Sequence, residues 1–144
     1  MLNSRDFLGF FCYNFYGGTM NNIDYLLDSL SKTKFRGSFH LNNKMKEYVK
    51  DKGIDKIREH AYDMVNSRLK VLLPNDGKQT PMRQVHPSFI AMHANGFCCR
   101  SCLYKIHNIK KGRELTKEEI TYIVKFIMLW IEKEIDNSKF VNFE

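Results

Sequence analysis

Three cysteines and three histidines fall within a stretch of 22 residues, from His86 to His107. The stretch reads HPSFIAMHANGFCCRSCLYKIH and is followed by the basic turn Lys110-Lys111-Gly112-Arg113. Thiolate and imidazole are the usual donors to zinc, and a closed tetrahedral site needs four of them. Cys99 and Cys102 are three residues apart, so at a helix start both sulfurs face one way. His107 follows about one turn later, and His93 lies on the preceding element. His93, Cys99, Cys102 and His107 are therefore the expected zinc ligands, with Cys98 and His86 as alternates. A second C-x-x-C, the mark of the most specific zinc motifs, is absent.

The same residues suit two other chemistries. Cys99-Arg-Ser-Cys102 is a C-x-x-C at a helix start, where the helix dipole and Arg100 favour thiolate redox chemistry. The βαβ pattern that frames such a motif in thioredoxin-like proteins is missing. Alternatively His86 or His93 could act as acid or base on a phosphate-bearing substrate held by Arg83 and Lys78. The stretch carries no paired carboxylates for magnesium, which argues against a two-metal nuclease.

Cations flank the block on both sides. Upstream, GKQTPMRQV (Gly77–Val85) carries Lys78, Gln79 and Arg83 and no acid. Within and beyond the block stand Arg100, Lys110, Lys111 and Arg113. Arg offers a planar donor fork and Lys a mobile charge, so these seven residues are the expected anion contacts. The chain's net charge of +7 points the same way. The expected partner is nucleic acid, held through backbone phosphates.

The elements that must position these residues read as helices. Ile23, Leu26, Leu27 and Leu30 set a helical rhythm over Asn21–Ser31. A basic-aromatic link, Lys34–Phe39, follows. Asn42–Lys52 is a helix stopped by Gly53, with Met45, Tyr48 and Val49 inward. Ile54–Leu73 is a longer amphipathic helix ended by Pro74, with His60 on its surface flank. Pro74-Asn75-Asp76-Gly77 is a turn. His86-Pro87 opens a short helix closed by Asn95-Gly96, and Cys99–His107 forms the next. Thr116-Lys117-Glu118-Glu119 is a capping box that launches a helix over Lys117–Ile135, with Trp130 in its apolar face.

No alternating strand pattern competes with these helices. The expected fold is all-α, a compact single-domain bundle with a central Cys/His-rich helix-loop-helix. Met1–Thr19, which includes LGFFCYNFYGG, reads as an extension ahead of the domain, perched before a more ordinary start at Met20. The domain is expected over residues 20–136, with a loose tail over 137–144. The 13% aromatic content argues against disorder. No run approaches the length of a membrane span, and the cysteine usage suits a reducing cytoplasm.

GKQTPMR, HPSFIAMHA, CCRSCLYKIH and KGRELTKEE together resemble a family of bacterial and phage proteins known as a domain of unknown function. Its pattern runs GKQTPMR, HP-x-FIA-x-HA, CCR-x-CL-x-K-W-H and KGR-x-LT, and the likeness covers about Lys34 to Glu132. Two departures stand out: Ile106 takes the place of Trp, and the gap between Arg83 and His86 is one residue longer. The resemblance implies one compact domain starting near Met20. It marks Gly77–Arg83, His86, His93, Cys98, Cys99, Cys102, His107 and Lys111–Arg113, and it implies no activity.

Overall fold

In the computed structural model, residues 19–70 and 80–143 are described. Among the described residues six α-helices carry the architecture: α1 Thr19–Ser31, α2 Asn43–Lys52, α3 Ile54–Val65, α4 Pro87–Asn95, α5 Arg100–His107 and α6 Lys117–Phe143. A 3-10 turn, Arg36–Ser38, joins α1 to the α2 segment, and a π-helical turn, Asn66–Lys70, extends α3. There is no strand among the described residues. The expected all-α single domain is the fold observed.

The helix starts follow local chemistry. The Asn42 side chain accepts from the Met45 N–H at 2.9 Å and caps α2. The capping box before α6 closes in both directions: Glu119 N–H to Thr116 Oγ1 at 3.1 Å, and Thr116 N–H to Glu119 Oε1 at 2.8 Å. At the end of α4, Gly96 takes φ +79, and Phe97 N–H reaches back to the Met92 carbonyl. A left-handed residue there turns the chain tightly from α4 toward α5.

The core is assembled on two helices. α4 is buried almost all round, with Ile90, Ala91, Met92 and Ala94 all shut from solvent. A helix without a solvated face has to sit at the centre. It packs against α1, α2, α3 and α6. The long α6 lies across α1, α3 and α4, and buries Ile123, Phe126, Ile127, Trp130 and Ile131. The apolar rhythm of α1 is also inward: Ile23, Leu26, Leu27 and Leu30 are all buried.

Three elements differ from their sequence reading. The expected Ile54–Leu73 helix is α-helical only to Val65 and then widens into the π turn. The carbonyls of that turn serve outside partners: Leu69 O accepts from Arg100 and Lys70 O from the Leu115 N–H. A π turn releases carbonyls in this way. α6 runs on to Phe143, past the helix end expected at Ile135 and into the loose tail expected over 137–144. No Gly or Pro interrupts 136–143, so nothing local stops the helix. The Pro74–Gly77 turn and the expected contacts Lys78 and Gln79 lie outside the described residues. No helix among the described residues is long and apolar enough to cross a membrane.

Candidate metal centre

The sulfurs of Cys98, Cys99 and Cys102 lie within 4.8 Å of one another. The cause is local. Cys99 is the N-cap of α5 and Cys102 is its third helical residue. N-cap and N3 side chains face each other, as Thr116 and Glu119 do before α6. The Cys99 sulfur caps no backbone N–H, so it stays available. Cys98, one residue earlier, brings its sulfur in from the core side at 2% exposure, whereas Cys99 and Cys102 are half-buried. A tetrahedral ion bound to thiolates at ~2.3 Å sets its sulfurs about 3.8 Å apart. The cluster could hold a metal ion with a small closing movement.

A residue outside the motif completes the surroundings. Arg36, on the 3-10 turn, donates from Nη2 to the Cys102 sulfur at 3.2 Å. Its Nη1 lies 3.6 Å from the Cys98 sulfur and donates to the His93 carbonyl at 2.5 Å. Burial works against its positive charge, but hydrogen bonds and charge attraction to Cys98 and Cys102 outweigh that and raise its pKa. Its guanidinium also sits 5.0 Å above the Phe35 ring. Gly37 allows the approach, because a Cβ there would collide with the Ser31 carbonyl.

Thr80 ties the upstream loop to the same place. Its N–H and Oγ1 both donate to the Cys98 carbonyl, at 3.2 and 3.0 Å. Sequence reasoning missed Arg36, and it marked Thr80 only as part of Gly77–Arg83, with no link to the cysteines. Arg36 is 62 residues before Cys98, where spacing carries no signal.

The histidines expected as ligands are engaged elsewhere. His107 is 2% exposed and stacks on Phe97, with ring centroids 4.1 Å apart. The Asn95 carbonyl, 2.7 Å from Nε2, can only accept, so Nε2 carries the proton. Nδ1 then accepts from the Tyr122 hydroxyl at 2.9 Å. No lone pair is left for a metal. Burial pushes its pKa down to about 3; the Asn95 hydrogen bond opposes this, and the charge of Arg36 adds to it. His93 donates from Nε2 to the Thr80 carbonyl and stacks on Phe39 at 5.5 Å. Burial lowers its pKa, partly countered by the Thr80 carbonyl. The metal-capable group among the described residues is thus three cysteines, with the alternate Cys98 in the place expected of a histidine.

His86, an alternate ligand and acid/base candidate, is the N-cap of α4. Its Nδ1 accepts from the Ser88 N–H at 3.0 Å. The proton therefore sits on Nε2, which faces His60 Nδ1 at 3.1 Å. Burial, and then the neighbouring His60, lower its pKa to about 4. His60, read from sequence as a surface residue, is the other half of this pair.

The expected anion contacts divide. Arg100 is 3% exposed. Its guanidinium donates to the carbonyls of Leu69, Lys110 and Arg113 at 2.5–3.0 Å, locking α5 to the π turn and to the loop before α6. It is a core cation and faces no outside anion, which corrects the sequence expectation. Arg113 is paired through both terminal nitrogens with Glu119, at 2.8 and 2.6 Å. Arg83, Lys110 and Lys111 are exposed. The Lys111 ammonium lies 3.5 Å from Ser101 Oγ, on the turn between the two half-buried cysteines.

A family model described as a domain of unknown function, DUF4186, matches residues 24–132. That span holds every residue of the centre, and the chain belongs to this family. No solved structure matches the chain.

Proposed function

We propose that this member of the family is a zinc-binding domain in which Cys98, Cys99 and Cys102 hold the ion, and Arg36 balances its charge. The observation that carries the reading is the convergence of three sulfurs, two of which, Cys98 and Cys102, face one guanidinium. Three thiolates around a divalent ion leave one net negative charge, and Arg36 offsets it. Hydrogen bonds from a second layer of residues orient and tune thiolate ligands in this manner. Zinc is the ion best matched to thiolates without redox chemistry. It links the start of α5 to the Arg36 turn, and through Cys98 to Thr80, so its role is to brace the loops around α5.

The partner proposed for the braced surface is nucleic acid, gripped through phosphates. The net charge of +7 and the exposed Arg83, Lys110 and Lys111 support it. Elemental analysis of purified full-length protein tests the metal: about one zinc per chain, lost in Cys102→Ser, is the expected result. Wild-type protein free of zinc after expression in zinc-replete medium would overturn it. For the partner, affinity for DNA or RNA should fall steeply with salt and weaken in Lys110→Ala/Lys111→Ala. Binding that ignores salt would refute the partner and leave the metal reading standing.

A further inference from the structure

We infer that Cys99 and Cys102 are an oxidisable pair: hydrogen peroxide joins them in a disulfide, which releases the ion and frees the Arg36–Ser38 turn. The release of zinc rests on the metal reading above; the disulfide and the movement of the turn do not.

Geometry and access pick out the pair. The sulfurs of Cys98, Cys99 and Cys102 lie within 4.8 Å of one another. Cys99 is the N-cap of α5 and Cys102 its third residue, so the two form a C-x-x-C at a helix start. That position makes thiols reactive. Both are half-buried and within reach of a small oxidant, whereas Cys98 is 2% exposed. Cys98 and Cys99 are chain neighbours, with Cα atoms about 3.8 Å apart, below the usual disulfide span of about 4.4–6.8 Å.

The step balances in atoms and electrons. One sulfur attacks a peroxide oxygen, the O–O bond breaks and a sulfenic acid forms. The second sulfur attacks the first, and the S–O bond breaks. Each departing hydroxide takes a proton, from thiol or solvent, and leaves as water. The two sulfurs give up one electron each, and the peroxide takes both. Zinc leaves as the divalent ion, unchanged in oxidation state.

The consequence falls on Arg36. Its Nη2 donates to the Cys102 sulfur at 3.2 Å, a closer contact than the 3.6 Å from Nη1 to Cys98. A disulfide draws its two sulfurs to about 2.05 Å and leaves Cys102 a neutral, weak acceptor. Burial opposes the guanidinium charge, and the two sulfurs offset that opposition. A buried cation that loses its partner is strongly disfavoured, so the turn moves toward solvent. Arg36, Gly37 and Phe39 line one cavity with Trp130, the chain's single tryptophan. Trp130 therefore reports the movement.

The test treats the reduced, metal-free full chain with hydrogen peroxide. About two of the four thiols should be lost, and digests should hold a Cys99–Cys102 linked peptide. Trp130 emission should shift to the red. Hydrogen exchange should quicken at Gly37, whose N–H is bonded to the Thr33 carbonyl. Dithiothreitol should reverse each change. Cys102→Ser should show neither link nor shift, and Arg36→Met should form the link without the shift. From zinc-loaded protein, about one ion should leave per disulfide formed. Oxidation without a Cys99–Cys102 link would overturn the inference. A link that leaves emission and Gly37 exchange unchanged would do so too, as would an equal shift in Arg36→Met or zinc retained after the link has formed. Each of these leaves the metal reading intact. Protein that takes up no zinc, yet forms the link and shifts, would remove the metal reading and keep the oxidisable pair.

Discussion

The cysteine centre and the histidine-bearing core lie within one short stretch of chain and use its side chains in opposite ways. At Cys98, Cys99 and Cys102 the donor atoms face one another, and among the described residues Arg36 reaches two of them, Cys98 and Cys102. At His107 both donors are consumed by Asn95 and Tyr122. The first arrangement has capacity left for something from outside, and the second has none. A dense patch of Cys and His in sequence therefore marks two things at once: a place to grip an ion, and the polar pins that hold the surrounding core together.

That contrast can be broken by substitution, starting where the effect is largest. His107→Ala removes a stacked ring and two buried hydrogen bonds. It should cost roughly 3–5 kcal/mol in denaturant unfolding of metal-free protein. The milder His107→Gln should fold and still bind about one zinc. Loss of zinc from folded His107→Gln would erase the distinction between the two regions.

Arg100→Met strips three backbone carbonyls of their donor and should cost about 2–4 kcal/mol. Affinity for nucleic acid should stay unchanged once the protein is folded. A drop in affinity without a drop in stability would return Arg100 to the anion contacts.

Acid should act on the histidines first. His86 and His107 titrate at about 4 and about 3 in the folded protein, against an ordinary 6.5. The unfolded chain takes up their protons sooner as pH falls. Their contribution is complete above 6.5 and is lost as pH drops toward 4 and then 3. Urea midpoints of metal-free protein should decline across that range, and less steeply in His107→Gln. A flat profile would mean that neither ring is buried neutral.

The cysteine centre predicts smaller effects without metal. Cys102→Ser should change metal-free stability by no more than about 0.5 kcal/mol. It should abolish the stabilisation that zinc gives the wild type. A small change of opposite sign is expected at Ser88, whose hydroxyl is fully buried and has no hydrogen-bond partner among the described residues. Ser88→Ala should raise stability by up to about 1 kcal/mol.

Much of the fold is legible in the residues. The apolar rhythm of α1, α2 and α6, the Thr116–Glu119 box and the Gly96 stop all depend on neighbours a few positions apart. The pairing of Cys99 with Cys102 is local in the same sense. Arg36 and Thr80 were beyond reach because tertiary packing alone brings them to the sulfurs. His107 was misassigned because a core imidazole and a ligand imidazole have the same spacing; only the Asn95 carbonyl and the Tyr122 hydroxyl tell them apart. Arg100 misled for a similar reason, since the carbonyls it serves lie in a π turn, at Leu69, and in the loop before α6, at Lys110 and Arg113, and periodicity reveals neither.

The most direct test of the shared grip is a cobalt(II) titration of the reduced full chain, following sulfur-to-cobalt charge transfer. Saturation at about one equivalent is expected, with the band weakened in each of Cys98→Ser, Cys99→Ser and Cys102→Ser and retained in His107→Gln. A titration with no charge-transfer band, or one that serine at all three positions leaves unchanged, would contradict it.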